Sequence, residues 1–298
     1  MIDLHMHTLY SDGTDSVLDI LKKASTSELE IISITDHNQC GAYQELDTIS
    51  ISDFYTGKII TGCEFTTSFE HRLIEVLGYG FDYHKVQSYL DSYYTKEAIE
   101  ERTSLLYHSL ITKMKELGLI FALEQVRDKK FDNEFFERGI YDELVKHPEN
   151  KELLGEDIFS SFSDFFRRGL TNPTSKLYLD YPKYKPALKD IIDLVHRAGG
   201  IVFLAHPFQY KFADTEEFLD RIYEECDFDG IECFYTTFSQ EQSEFLVKFA
   251  KERDLFISGG SDYHGGNKKQ HELGVGRGNL HIDKGLISSW DVEYYFNG

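Results

Sequence analysis

The sequence has few basic residues for its acidic content. Its 298 residues include 31 lysines and arginines against 52 aspartates and glutamates, which gives a formal net charge of -21 at pH 7. Long nucleic acids are held mainly by contacts between basic side chains and phosphates, so this balance argues against a broad nucleic-acid interface. It leaves room for a small basic pocket that accepts one phosphate, and bound cations would offset part of the acidity.

Cysteine is scarce, and long apolar segments are absent. The four cysteines include no C-x-x-C pair, so they resemble neither a zinc knuckle nor a secreted disulfide framework and are interpreted as buried or incidental thiols. The chain begins without a basic segment followed by an apolar run, and no stretch approaches the length of a membrane span. These absences predict a soluble cytoplasmic protein with no membrane partner.

The first thirteen residues hold the most informative pattern. Apolar residues alternate with polar ones as in a half-buried strand, so His5 and His7 project from one face with a single residue between them. Asp12 follows in a Ser-Asp-Gly turn and can bring a carboxylate to the same place. This arrangement favours a metal site, and the alternative is an ordinary exposed N-terminal strand with two polar histidines.

Beyond this segment, short apolar strands alternate with helices, which predicts parallel β/α units. In barrels of such units the active site is built at the C-terminal ends of the strands. Histidines and carboxylates lie at or just after five such ends: His5 with His7, His37, Glu64, His206, and Asp262 with His264. Each one alone has an ordinary explanation, such as a turn cap, a solvated carboxylate or a core histidine. Together they predict a multi-metal site.

The central part of the chain has a different character. A long helix is predicted over residues 86–118, and the sequence up to about residue 185 is charged, aromatic and irregular. Its phenylalanines suggest a small core of its own, formed by Phe131, Phe135, Phe136, Phe159, Phe162, Phe165 and Phe166. The predicted division is therefore a metal-binding domain of residues 1–84 and 186–298 and a helical insertion of residues 85–185.

The ordered motifs H-x-H, S-D-G, I-T-D-H, G-C-E, A-H-P and G-G-S-D-Y-H-G resemble those of the PHP (polymerase and histidinol phosphatase) superfamily. The sequence looks most like stand-alone metal-dependent phosphoesterases of the TrpH type. The resemblance spans the chain on both sides of the insertion. It implies an α/β fold with a distorted (β/α)7 barrel, and a helical insertion that covers the active-site face.

The resemblance also implies three metal ions, the first held by His5, His7, Glu64 and Asp262, the second by Glu64 as a bridge with His206 and Glu75, and the third by Asp12, His37 and His264. Relatives usually have histidine where this chain has Glu75. His71 lies about 13 Å away along an extended strand and is a poor substitute. Two or three divalent Mn, Fe or Zn ions suit these ligands, and the oxygen of Glu75 favours Mn or Fe.

These features predict a metal-dependent phosphoesterase, which hydrolyses a phosphate ester of a small metabolite or nucleotide. A metal-bridging hydroxide held by Glu64, His206 and Asp262 is the expected nucleophile. The expected substrates are a sugar phosphate, a nucleotide or the 5′ end of a short RNA, and long nucleic acid is not expected. Arg168 and Arg277 are the candidates for phosphate contacts, with solvated surface arginines as the alternative.

Two alternatives stay open at the level of the sequence. Metal-activated hydroxide also cleaves C–N and C–O bonds, so an amidohydrolase-like enzyme would use the same ligands. A degenerate, non-catalytic metal-binding module is the other alternative. Glu75 is the residue that favours it, whereas the other eight ligand positions are intact.

Overall fold

The computed structural model describes residues 1–122, 124 and 136–298. These residues form two compact units. The first unit comprises Met1–Thr67, Ile74–Asp91 and Pro186–Gly298, and the second comprises Ser68–Leu73 and Ser92–Lys185. Compared with the division expected from the sequence, residues 85–91 belong to the first unit and residues 68–73 to the second.

The strands are short and form two sheets. In chain order they are β1 (Ile2–Asp3), β2 (Ile31–Ile32), β3 (Lys58–Ile60), β4 (Gly62–Phe69), β5 (Arg72–Tyr79), β6 (Ile201–Leu204), β7 (Gly230–Tyr235), β8 (Phe256–Gly260) and β9 (Tyr294–Phe296). One sheet has the order β1-β2-β3-β9, and the other has the order β4-β5-β6-β7-β8. The pairs β1–β2, β2–β3, β6–β7 and β7–β8 are parallel, as the alternation of strands and helices predicts.

A closed (β/α)7 barrel, which the sequence led us to expect, is not found among the described residues. The pairs β3–β9 and β5–β6 are antiparallel, and the strands separate into a four-stranded and a five-stranded sheet. Two isolated bridges, Met6 with Tyr263 and His37 with Glu64, stand where continuous ladders would close a barrel. Asn38 and Asp262 have positive φ angles beside these bridges, and such backbone turns away from the extended conformation of a ladder.

Capping residues begin several of the helices. In chain order the helices are α1 (Val17–Thr26), α2 (Gly41–Leu46), α3 (Tyr83–Tyr93), α4 (Lys96–Glu116), α5 (Phe136–Leu144), α6 (Glu149–Leu154), α7 (Leu188–Arg197), α8 (Thr215–Glu225) and α9 (Gln240–Glu252). A further turn, Phe162–Asp164, continues as a π-helix over Phe165–Leu170. Ser16 and Asp19 form a capping box at the start of α1. Among the described helices, none combines the length and the apolar character needed to cross a membrane.

The single helix predicted over residues 86–118 is two helices in the structure. The first, α3, begins three residues before the predicted start, and α4 begins after Thr95, whose side chain accepts a hydrogen bond from the backbone N–H of Ala98. This side-chain cap satisfies a free N–H at a helix start, so it starts a new helix inside a continuous helical pattern.

Each unit has its own apolar core. In the first, strand residues pack with Trp290 and Phe203, which are nearly or fully buried. In the second, Phe159 and Phe165 are buried, and Phe136, Phe162 and Phe166 pack against them with part of their surface exposed. Phe131 and Phe135, which were predicted to join this core, lie outside the described residues.

Candidate metal centre

The ligand-type side chains predicted from the sequence form one cluster in the first unit. Three groups of residues could each hold a metal ion, because the ligand atoms within each group lie within 4.8 Å of one another. The first group is His5, His7, Glu64 and Asp262, the second is His7, Asp12, His37 and His264, and the third is His37, Glu64 and Glu75. The first group has the same members as the first predicted set. The second group adds His7 to the third predicted set. His206 is the one predicted ligand outside these three groups.

The centre of the cluster is formed by two histidines and two carboxylates. His5 and His7 follow β1 and are completely buried. The Nε2 atom of His5 is 3.2 Å from Glu64 Oε2 and 3.4 Å from Asp262 Oδ1. The corresponding distances from His7 Nε2 are 3.3 and 3.2 Å. The two imidazoles therefore face the same two oxygens, as the H-x-H spacing predicts.

Asp12 brings a third carboxylate to the edge of this centre. Its Oδ1 atom lies 3.1 Å from His264 Nε2, 3.6 Å from His7 Nδ1 and 3.8 Å from His37 Nε2. The ring of His7 lies between the other two, with centroid distances of 4.0 Å to His264 and 4.6 Å to His37. This edge is more open than the centre, since the Asp12 side chain is 40% exposed.

Glu64 connects the two sides of the cluster. Its Oε2 atom faces His5 and His7 and is also 3.3 Å from His37 Nδ1, whereas its Oε1 atom is 2.8 Å from His206 Nε2. That same His206 atom lies 3.8 Å from Glu75 Oε2. The side chain of Glu75 therefore reaches the region where the resemblance predicts a second metal ion.

The hydrogen bonding of the cluster provides a test of whether metal ions fit. Five of its buried polar atoms make no hydrogen bond within the described residues: His7 Nε2, Asp12 Oδ1, His37 Nδ1, His206 Nδ1 and His264 Nε2. A buried polar atom without a hydrogen bond costs about 1–3 kcal/mol. His7 Nε2 and His37 Nδ1 each lie 3.3 Å from Glu64 Oε2, and His264 Nε2 lies 3.1 Å from Asp12 Oδ1, so four of the five atoms are close to other ligand-type atoms, as the ligands of a shared ion are. The imidazole and carboxylate donors fit Zn, Mn or Fe.

The two central histidines lie in a strongly negative environment. Burial lowers the pKa of His5, but Glu232, Glu64 and Asp262 outweigh it and raise that pKa well above its usual value. Burial likewise opposes the effect of Asp262 and Glu64 on His7, and the net result is a pKa of about 9. Because metal ligands must be neutral imidazoles, binding of an ion here would release protons.

His264 and Asp262 differ from the two central histidines in their electrostatics. Burial and the neighbouring His7 lower the pKa of His264 to about 4, so this ring is neutral near pH 7. Burial raises the pKa of Asp262, but Lys268, His264 and His5 outweigh it and hold that pKa well below its usual value. An ionised carboxylate beside a neutral imidazole is the protonation state that a metal ion requires.

Glu232 is a residue of the site that the sequence pattern did not identify. It lies on β7, is completely buried, and uses both of its oxygens. Oε1 is 2.9 Å from His5 Nδ1, and Oε2 accepts a 2.8 Å hydrogen bond from the backbone N–H of His206. The carboxylate therefore holds the His5 proton on Nδ1 and leaves Nε2 as the ligand atom. The available signal was a glutamate within the otherwise apolar strand Gly-Ile-Glu-Cys-Phe-Tyr.

Two buried aspartates hold the loops that carry the ligands. Asp36 accepts hydrogen bonds from the Thr8 N–H at 2.8 Å, the Thr8 hydroxyl at 2.7 Å and the Ser11 hydroxyl at 2.5 Å. Asp3 accepts hydrogen bonds from the N–H of Ser261 at 2.9 Å and from its hydroxyl at 2.6 Å. These contacts fix the chain next to Asp12 and next to Asp262, so the ligand positions are set by buried polar partners.

The two arginines predicted to contact phosphate have ordinary surroundings. Arg168 belongs to the second unit and pairs with Asp164 one helical turn away at 3.0 Å. Arg277 is exposed in the first unit, where its backbone N–H donates to Asn279. A different cation contacts the cluster: the Lys268 ammonium is 2.6 Å from Asp262 Oδ2.

Comparison with known proteins gives matches along most of the chain. The model of the PHP domain matches residues 3–234. A 5′-3′ exoribonuclease of Haemophilus influenzae is 26% identical over 274 residues, which cover 88% of this chain and 89% of that protein. A 3′,5′-nucleoside bisphosphate phosphatase of Chromobacterium violaceum is 20% identical over 286 residues, covering 92% and 90%. A solved amidohydrolase from C. violaceum, with bound sulfate and no metal, shares the fold with a TM-score of 0.64 and 22% identity over 92% of this chain and 89% of that chain.

Proposed function

This chain belongs to the PHP domain family, and we propose that it is a metal-dependent phosphoesterase that hydrolyses a phosphate ester of a nucleotide or of the 5′ end of a short RNA. The observation that carries the proposal is the convergence of three overlapping groups of imidazole and carboxylate ligands. Two relatives that match along most of the chain are named as a 5′-3′ exoribonuclease and as a 3′,5′-nucleoside bisphosphate phosphatase.

We expect two or three divalent ions, Mn, Fe or Zn, with one held by His5, His7, Glu64 and Asp262, one by Asp12, His37 and His264, and one by Glu64, Glu75 and His206. Bound ions would supply Lewis acidity toward the phosphoryl oxygens and lower the pKa of a water molecule. A cluster that shares Glu64 and His7 between groups suits ions that lie close together.

The chain's own residues supply position and charge. Glu64 directs one oxygen to each side of the cluster, so it is placed to join two ion sites. Asp262 directs Oδ1 to the central imidazoles while its Oδ2 is held by Tyr235 and Lys268. Buried, hydrogen-bonded side chains keep these atoms fixed before substrate arrives, and hydrolysis of a phosphate ester depends mainly on such positioning.

The charge of the chain bears on the size of the substrate. With a formal net charge of -21, the protein repels long polyanions, whereas a small phosphate ester can approach a locally cationic, metal-loaded site. We therefore expect the substrate to be a nucleotide or a short RNA end and not a long nucleic acid. Sugar phosphates belong in the same assay as a comparison class.

The test combines metal analysis with turnover. Protein purified without chelators is analysed for metal content. Its activity is measured on p-nitrophenyl phosphate, a 3′,5′-nucleoside bisphosphate, a short RNA, a sugar phosphate and a panel of amides. We expect two to three ions per chain and hydrolysis of the phosphate esters, lost in Glu64→Gln and retained in Glu224→Gln, an exposed glutamate of the first unit. Cleavage of amides alone would favour an amidohydrolase. Bound metal with no turnover would favour a binding module.

A further inference from the structure

A partly exposed lysine lies at the edge of the metal centre. Lys268 ends the short 3₁₀ helix Gly265–Lys268, which follows His264. Its ammonium is 2.6 Å from Asp262 Oδ2, and its side chain keeps 38% of its surface exposed while that of Asp262 keeps 3%. The positive charge therefore lies between the buried carboxylate and the solvent.

The contact with Asp262 does not by itself explain this lysine. Tyr235 already donates a 2.6 Å hydrogen bond to the same Oδ2 atom, so the carboxylate has a neutral, buried partner. Within the described residues, the ammonium makes no other hydrogen bond, which leaves two of its three N–H groups available. If the only role of this lysine were to be a second partner for Oδ2, it would add little to the hydrogen bonding of Asp262.

A fixed cation at this place has a cost for metal binding. Like charges repel, so the ammonium disfavours ions held by Asp262 and its neighbours. An anion that binds both the ions and the ammonium removes this repulsion. The phosphoryl group of the proposed substrate is such an anion, and lysine is a common partner of phosphate oxygens.

The turn that carries Lys268 is held against the loop that carries Asp12. The Gly266 N–H donates to the Thr14 hydroxyl, and the Asn267 amide donates to the backbone carbonyl of Asp12, both at 2.7 Å. The ammonium is therefore fixed relative to two sets of predicted ligands.

We propose that Lys268 binds a non-bridging oxygen of the phosphoryl group that is hydrolysed, and that it does so beside the ions held by the cluster. This inference rests on the proposed phosphoesterase function and deepens it. It replaces Arg277 as the phosphate contact expected in the first unit. Asp262 contacts the central histidines with one oxygen and Lys268 with the other, so the ammonium that would bind the substrate has a fixed position relative to the ions.

The experiment measures phosphate binding separately from turnover. The full chain is saturated with Mn, its metal content is checked, and its affinity for inorganic phosphate is measured by calorimetry for the wild type, Lys268→Met, Lys268→Arg and Lys269→Met. Lys269 is the exposed neighbour and gives the same change of charge. We expect affinity about 10–100-fold weaker in Lys268→Met, as for loss of one charge-assisted hydrogen bond, with partial rescue by arginine and no change in Lys269→Met.

Several results would overturn the inference. One is a phosphate affinity of Lys268→Met equal to that of the wild type. Another is a weaker affinity of Lys268→Met that returns to the wild-type value once metal lost from the variant has been restored. The third is no phosphate binding by the wild type. If phosphate binds through Lys268 and no phosphate ester is hydrolysed, the inference about the anion stands and the proposed function fails. Parallel losses in phosphate affinity and in kcat/KM for p-nitrophenyl phosphate would support both.

Discussion

Glu232→Gln is the most informative single change, because it keeps the shape of the side chain while it replaces one acceptor oxygen by an amide N–H₂ donor and removes the negative charge. The glutamate receives the His206 N–H on Oε2 and faces His5 Nδ1 with Oε1. A glutamine has only one oxygen for these two contacts. If that oxygen accepts the His206 N–H, the amide N–H₂ donates to His5 Nδ1 and moves the imidazole proton to Nε2.

That proton would then occupy the atom that must bind metal. His5 Nε2 faces Glu64 Oε2 at 3.2 Å and Asp262 Oδ1 at 3.4 Å, which is the centre of the first ligand group. In the opposite orientation the amide N–H₂ of the glutamine faces the backbone N–H of His206, and two donors cannot form a hydrogen bond. Loss of such an orienting partner costs about 10–100-fold in metal affinity, which corresponds to about 1.4–2.8 kcal/mol.

The assay is a competition for metal between the protein and a chelator of known affinity, with circular dichroism as a check on folding. Glu224→Gln is the control, since it makes the same chemical change at an exposed position. We expect Glu232→Gln to recover most of its activity at high metal concentration. Wild-type metal affinity in Glu232→Gln would refute the reasoning, because His5 would then not depend on Glu232 or would not be a ligand.

Three further predictions concern the second ion site and the scaffold. Glu75→His replaces a carboxylate oxygen with the imidazole that the family resemblance leads us to expect at this position, and we expect the bound metal to shift from Mn or Fe toward Zn in elemental analysis. Asp36→Ala removes the acceptor of three hydrogen bonds and should lower the free energy of unfolding in urea by about 2–4 kcal/mol. Asp36→Asn should lower it by only about 1 kcal/mol, because the Thr8 hydroxyl can rotate to accept a hydrogen bond from the new amide. Phe203→Ala should cost about 3–5 kcal/mol in the same assay, against less than about 0.5 kcal/mol for the exposed Leu105→Ala, and equal losses would contradict the assigned core.

The sequence by itself determined the family and the chemical type of the site. The resemblance to PHP proteins is confirmed by the match over residues 3–234. The local pattern was sufficient for His5 and His7, because residues two apart in an extended chain share a face, and this holds although both follow β1. The C-terminal ends of parallel strands also meet at one edge, so His206 and Asp262, which follow β6 and β8, could be expected together before any contact was known. Glu64 was expected at a strand end as well, but it lies within β4.

The tertiary structure decided which partners complete the site. Glu232 and His5 are 227 residues apart and meet through the register of β7 and β8, which a single sequence does not encode in any local pattern. Lys268 is only six residues from Asp262, but the turn that carries it is held by the distant residues Thr14 and Asp12. Closure of the strands was also undetermined by the sequence, because an antiparallel pair and isolated bridges depend on long-range hydrogen bonds, whereas strand–helix alternation reflects only local burial. Ligand types are thus a property of the sequence, and their orienting partners are a property of the fold.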